Sequence, residues 1–197
     1  MDKKLDPRVI RTRQLLKDAF IALIKEMDLE KITVNRLAER ATINRVTFYL
    51  HYRDIPDMQE KMAEDMLQEL AEVYETARKD TNQTEGWKVI ERMLAYIGEN
   101  ADFYKVVLTS KGLPIFRERL LEYLTHRIIT RVERKDSYAK RVGIEKDFLV
   151  WYDSSALIGT IIAWLKNDRP YTPEHMAKQF YLLRNRGETA RSDLDVD

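Results

Sequence analysis

The chain has 197 residues, of which 44% are hydrophobic and 34% charged, enough for a packed core under a polar surface. Six glycines and five prolines are too few for a loop-rich β-sandwich or a disordered linker protein, and the absence of cysteine excludes disulfides, thiolate metal sites, iron–sulfur clusters and cysteine nucleophiles. The net charge of +1 hides a segregation, with residues 1–53 balancing at +5, residues 54–80 at −6 and residues 81–197 at +2. A basic segment followed directly by an acidic one reads either as two surfaces with different partners or as ordinary solvated helix faces. The start, Met1-Asp2-Lys3-Lys4-Leu5, has no apolar signal core, and no apolar run nears the roughly 20 residues that span a bilayer. A soluble cytoplasmic protein without a membrane partner is expected.

In chain order, Asp6-Pro7 has the form of an N-cap followed by proline at the first helical position. Leu16, Ala19, Phe20, Leu23, Ile24 and Met27 then recur at spacings of three and four, one apolar stripe through residues 8–27. Thr33 caps a short helix, with Ile32 and Leu37 placed as a hydrophobic staple, and Asn44 caps another, with Ile43 and Phe48 in the same relation. Two capped helices of about seven residues, separated by Ala41-Thr42-Ile43, form a helix-turn-helix too short to hold without tertiary packing. Asp54 caps a longer helix, with Pro56 in its first turn, that runs to about Lys79.

The polar run 79–86 is the main internal break. Helical patterns follow over 86–99, 101–110, 113–135, 144–167 and 173–186. The expectation is an all-α fold of about nine helices. Residues 1–53 read as a three-helix helix-turn-helix domain, 54–80 as a connecting helix, 81–187 as a helical regulatory and dimerisation domain, and 188–197 as a disordered tail.

The informative run is residues 33–53. Its second helix concentrates Asn44, Arg45, Thr47, Tyr49, His51 and Arg53 within about ten residues. An α-helix fits the major groove of DNA, where such side chains read base edges or bind flanking phosphates. Phe48 and Tyr52, four residues apart, face inward. With these residues the chain resembles the TetR family of bacterial transcription regulators, reproducing Thr33-Val34, Leu37-Ala38, Ala41, Thr47-Phe48-Tyr49 and His51-Tyr52 in register over roughly residues 8–70. The resemblance implies that Thr47 and Tyr49 contact phosphate, and that Arg45, Val46, Leu50 and His51 face the groove. It also implies that Thr33 and Asn35 lie against phosphate or a nearby base, and that Arg53 is a basic contact beyond the recognition helix, while Asn44 is nominated for DNA contact by its hydrogen-bonding side chain. Two positions depart from the family pattern. Thr42 replaces the turn glycine, so a positive φ there would be strained. Ile55 replaces the lysine that opens the fourth helix, leaving Arg53 to take over part of its phosphate contact.

With Asn100-Ala101-Asp102-Phe103-Tyr104-Lys105, Gly112-Leu113-Pro114, Phe116, and a long helix ending in Ala163-Trp164-Leu165 before Pro170-Tyr171-Thr172-Pro173, the second half resembles a regulatory domain of the same family, which implies dimerisation through the last two helices and a ligand pocket. Ser154, Leu157, Ile158, Ile161, Ile162, Leu165, Met176, Phe180 and Leu183 are the expected interface, although an intrachain core would explain the same pattern. Trp87, Met93, Tyr96, Phe103, Tyr104, Phe116, Tyr123, Trp151 and Tyr152 are nominated, as a set, for an effector pocket; ordinary aromatic core is the other reading. His51, His126 and His175 are far apart in sequence, so no metal or cofactor is expected, and Asp153-Ser154-Ser155 lacks a nucleophile elbow.

The expected function is a homodimeric repressor of a palindromic double-stranded DNA operator, released by a small-molecule effector and working at the bacterial nucleoid. The alternatives are a ligand-independent or protein-partner-controlled regulator of coactivator type, and an enzyme with a vestigial helix-turn-helix. Of the acids of residues 54–80 (Asp57, Glu60, Glu64, Asp65, Glu69, Glu72 and Glu75), the first few suit the positive end of the helix dipole, and the later ones are expected either to face solvent away from DNA and repel phosphate or to form an ordinary solvated face.

Overall fold

Side-chain caps start the first four helices. In the computed structural model, which describes residues 6–81, 86–132 and 143–184, the Asp6 carboxylate accepts from the Arg8 N–H at 2.8 Å and opens α1 (Pro7–Glu26). Thr33 Oγ1 accepts from the Arg36 N–H at 3.3 Å to open α2 (Val34–Arg40). Asn44 Oδ1 accepts from the Val46 N–H at 2.8 Å to open α3 (Arg45–Tyr49). Asp54 Oδ1 accepts from the Asp57 N–H at 2.8 Å to open α4 (Ile55–Lys79). Each cap satisfies one of the N–H groups that a helix start leaves free. After them come α5 (Gly86–Glu99), α6 (Ala101–Thr109), α7 (Pro114–Val132), α8 (Lys146–Lys166) and α9 (Pro173–Arg184), so the described residues hold nine α-helices and no strand. The all-α expectation holds. Helix α3 is shorter than expected because the Leu50 and His51 N–H groups bond back only three residues, to the Thr47 and Phe48 carbonyls, before the chain turns into the Asp54 cap. The expected tail, 188–197, and the end of the 113–135 helix lie outside the described residues.

One apolar cluster runs from Leu16 and Phe20 of α1 and Phe48 of α3, through Met58, Met62, Met66 and Leu70 of α4, to Leu94, Tyr104, Phe116 and Trp164. Helix α1 packs on α2 and α6, α4 on α5 and α7, α8 on α6 and α7, and α9 on α5. Helix α4 therefore serves both halves of the core, and its unbranched methionines suit the irregular gaps between unlike neighbours. Helices of seven and five residues are unstable alone. Leu37, Ala38 and Phe48 are buried and α2 packs on α1 and α3, which holds the two short helices at about 1.5–3 kcal/mol for each large apolar side chain.

Helix α8 departs furthest from expectation. Ser154, Ile158, Ile161 and Leu165 are buried in their own chain, as is Met176 of α9, so these five expected interface residues belong to the intrachain core. Leu157, Ile162 and Phe180 are half-buried and Leu183 is exposed. The outer face of α8 instead carries Phe148, Trp151 and Tyr152, which are 61%, 67% and 64% exposed, beside exposed Ser155, Ala156, Gly159, Thr160 and Ala163. A helix that is apolar all round offers no stripe to distinguish its two faces. By length and composition alone α8 is also apolar enough to cross a membrane, contrary to expectation; a helix with one face in a core passes the same measure.

The α8–α9 turn places Asp168 and Arg169 at φ of 55° and 58°, in the left-handed region. Lys105 holds Asp168 at 2.6 Å, and the Arg169 guanidinium donates to the Gly98 carbonyl, pinning the turn on α5 and α6.

The acids of α4 are mostly partners rather than a free repelling face. Arg119 of α7 pairs with Glu60 at 3.1 Å and Arg127 with Glu75 at 3.0 Å. The Tyr96 hydroxyl donates to Glu69 at 2.7 Å, Gln68 donates to Glu72 at 3.1 Å, and Asp57 is buried. Helix α4 lies centrally, and α7 brings cations to two of its acidic positions; Glu64 and Glu72 are exposed as expected.

Candidate nucleic-acid interface

The turn between α2 and α3 puts Thr42 at φ 56°, the left-handed conformation expected of a glycine position. A non-glycine residue there costs on the order of 1–3 kcal/mol. The Thr42 and Ile43 N–H groups, bonded to the Glu39 and Ala38 carbonyls at 3.1 and 2.9 Å, hold it. Arg40 locks the end of α2 to the end of α1 through two bonds to the Glu26 carboxylate, at 2.7 and 2.5 Å. Those bonds hold the Glu26 carboxyl below its ordinary pKa. Arg36 turns back and donates to the Lys31 carbonyl at 2.5 Å. These two cations brace the scaffold.

Helix α3 presents its side chains as ridges. Phe48 and, just beyond the helix, Tyr52 are buried and pack with ring centroids 5.6 Å apart. The Arg45 guanidinium donates to the Tyr49 hydroxyl at 3.1 Å and lies 5.5 Å from its ring centre, making one outward ridge. Val46 and Leu50 make the next, 66% and 77% exposed. Thr47 and His51 are half-buried between these faces. Burial, then the charges of Arg13 and Lys61, push the His51 imidazole below its ordinary pKa, so it is mainly neutral near pH 7. Thr33, Asn35 and Asn44 are exposed, although the Thr33 and Asn44 side-chain oxygens already serve as caps.

A buried carboxylate anchors the exit from α3. Asp57 accepts from the Arg53 N–H at 2.9 Å, from the Arg53 guanidinium at 3.2 and 3.3 Å, and from Lys61 at 3.0 Å. Lys61 also donates to the His51 carbonyl at 3.2 Å, tying α4 to the residues that follow α3. The Arg53 N–H chiefly, and then Lys61, bring the Asp57 carboxyl down to about 2. Arg53 stays largely exposed but is oriented by this clamp. The clamp was missed in the sequence, although Asp57 and Lys61 stand four apart on one helix, a legible pairing signal. Glu26 and Arg40, fourteen apart on different helices, left no local signal.

The nine residues nominated for an effector pocket do not converge on one cavity. Phe103, Tyr104 and Phe116 pack edge to face in the core, and Trp151 and Tyr152 stand outward on α8. Trp87 is half-buried under Lys178, Met93 is half-buried, and Tyr123 is half-buried beside Arg127. Tyr96 and Phe103 do line a cleft of about 590 Å³ between α1, α4, α5 and α6, together with Lys17, Lys25 and Glu69. Lys17 sits 4.1 Å above the Phe103 ring.

Residues 85–186 match the TetR-type family described as the transcriptional regulator C-terminal region. The chain is 24% identical over 176 residues to the HTH-type transcriptional regulator YxbF of Bacillus subtilis, which covers 85% of this chain and 43% of YxbF. It thus spans less than half the length of that relative. It is 26% identical over 150 residues to the HTH-type dhaKLM operon transcriptional activator DhaS of Lactococcus lactis, with 75% and 76% of the two chains covered. A solved TetR transcriptional regulator from Streptococcus agalactiae 2603V superposes with a TM-score of 0.66 at 26% identity, over 89% of this chain and 94% of that one. The family match spans just over half of the sequence and continues a front half that folds as a capped helix-turn-helix. On that basis the chain belongs to the TetR family of transcriptional regulators.

Proposed function

We propose that the chain is a homodimeric, sequence-specific repressor of a palindromic DNA operator, released by a small-molecule effector and acting in the cytoplasm at the nucleoid. The observation that carries DNA binding is α3, a short helix locked inward by Phe48 that turns Arg45, Val46, Tyr49 and Leu50 outward. A helix of this kind enters the major groove. In this reading Arg45, Val46, Leu50 and His51 meet base edges, and Thr47, Tyr49 and Arg53 meet phosphate. Thr33, Asn35 and Asn44 flank the contact. Residues 1–53 form the DNA-binding unit, 54–80 the connecting helix and 81–187 the regulatory unit.

A half-site reader needs a second copy that sets its two recognition helices about 34–36 Å apart. The outer face of α8, with aromatics beside Ala156, Gly159 and Ala163, supports a helix-on-helix contact there, joined by exposed Leu182 and Leu183 of α9. The cleft lined by Lys17, Glu69, Tyr96 and Phe103 supports effector control, because it touches both the helix bracing α2 and the helices behind it. An occupant that fits only a wide-spaced conformer shifts the population off the operator.

A second reading is control by a protein partner. The filled interior around Leu94, Tyr104, Leu108 and Phe116 favours it. Gel retardation with duplexes flanking the chain's own gene tests DNA binding. The expected result is one duplex shifted at nanomolar protein in excess unrelated DNA. Equal affinity for every duplex would overturn the proposal, and a reporter under that duplex reads the sign of regulation.

A further inference from the structure

Among the described large hydrophobic side chains none is more exposed than Leu50, at 77%, and Val46 one turn before it is 66% exposed. They stand on the same ridge of α3, clear of the Arg45–Tyr49 pair and of buried Phe48 and Tyr52. Branched aliphatic groups gain nothing from water or from phosphate oxygens. In the major groove only one base edge offers them an apolar surface, the C5-methyl group of thymine. Successive turns of a helix are about 5.4 Å apart and successive bases about 3.4 Å. The two side chains therefore address bases one to two steps apart.

Charge decides the occupant. The ridge sits in a segment balancing at +5, between exposed Arg45 and exposed Arg53, and a polyanion matches those surroundings better than the apolar pocket of a protein partner. Resting on the DNA-binding reading above, we infer that Val46 and Leu50 are specificity-determining residues that read the methyl groups of thymines one to two steps apart in each operator half-site.

The test begins with the full chain and a pool of random-sequence duplexes, from which the tightest-binding sequence is selected. Thymines in that duplex are then replaced one at a time by uracil, which removes the methyl and leaves every hydrogen-bonding group in place. The expected result is about fourfold weaker binding at each of two positions per half-site, the worth of one buried methylene, and no change elsewhere. Leu50→Ala should abolish the thymine–uracil difference at one position and Val46→Ala at the other. Because both side chains point into water, both variants should keep the wild-type circular dichroism spectrum and melting temperature. Uracil duplexes bound as tightly as the parent would overturn the inference, as would alanine variants that keep full discrimination. A pool that yields no enriched sequence would overturn the DNA-binding reading itself, a separate and recognisable failure.

Discussion

Helices α3 and α8 both leave apolar side chains in water, and the neighbours of those side chains give the two exposures different meanings. On α3 two aliphatics stand on a five-residue helix flanked by arginines, with Phe48 as the inward anchor. On α8 three aromatics frame a run of small residues along a 21-residue helix whose inner face is Ser154, Ile158, Ile161 and Leu165. A short apolar ridge between cations fits a groove in a polyanion, and a long face of small residues fits another helix at close range. Hydrophobic exposure therefore identifies a partner only together with helix length and the charge around it.

Inward positions should break first and hardest. Phe48→Ala should lower unfolding free energy by about 3–5 kcal/mol and Ile158→Ala by about 2–5 kcal/mol in urea denaturation. Leu50→Ala and Trp151→Ala at low protein concentration should stay within about 0.5 kcal/mol of wild type. Equal losses from Phe48→Ala and Leu50→Ala would reverse the orientation assigned to α3.

The next effect isolates the α8 face. A side chain at Gly159 meets nothing within 4 Å in the single chain, so Gly159→Glu should fold normally. Light scattering should then report a mass near 23.4 kDa instead of about twice that value. Losing the second half-site should weaken operator binding about 100-fold. An unchanged dimer would move the contact elsewhere.

On α3 the ridges separate by what they read. Arg45→Ala should cost about 1–3 kcal/mol and reorder a series of operator variants, as expected for a side chain meeting a base edge. Tyr49→Phe should weaken specific and non-specific binding alike by a smaller factor, measured by fluorescence anisotropy. Reordering by Tyr49→Phe would show that its hydroxyl aims Arg45, to which it is bonded at 3.1 Å.

The smallest effect concerns the Asp57 clamp. Its carboxyl titrates near 2 in the fold against an ordinary 3.8, so the folded state holds the proton less readily. The clamp's stabilisation is therefore complete above about pH 4 and disappears as pH falls towards 2. Thermal melts from pH 5 to pH 2 should show a steeper decline for wild type than for Asp57→Asn, and parallel curves would remove the clamp from the account.

Much of the front half was legible because its signals are local. Asp6, Thr33, Asn44 and Asp54 announce helix starts within three residues, and Thr42 revealed its strained turn by standing where glycine belongs. The rear half depended on which face met which neighbour. Ile158 and Ile161 were expected at an interface because α8 is apolar on every side, and only contact with α6 and α7 turns them inward. Glu60 and Glu75 looked like a solvated face because their partners, Arg119 and Arg127, lie 59 and 52 residues away. The nominated aromatics were sound as apolar residues but scattered as a pocket, since composition carries no information about convergence.

In the proposed complex two copies of this chain present α3 to one face of DNA. Hydroxyl-radical footprinting on the tightest-binding duplex tests it directly. The expected footprint is two symmetric protected tracts about one helical turn apart, both lost in Gly159→Glu at the same protein concentration. A single tract, or two tracts that survive that substitution, would contradict it.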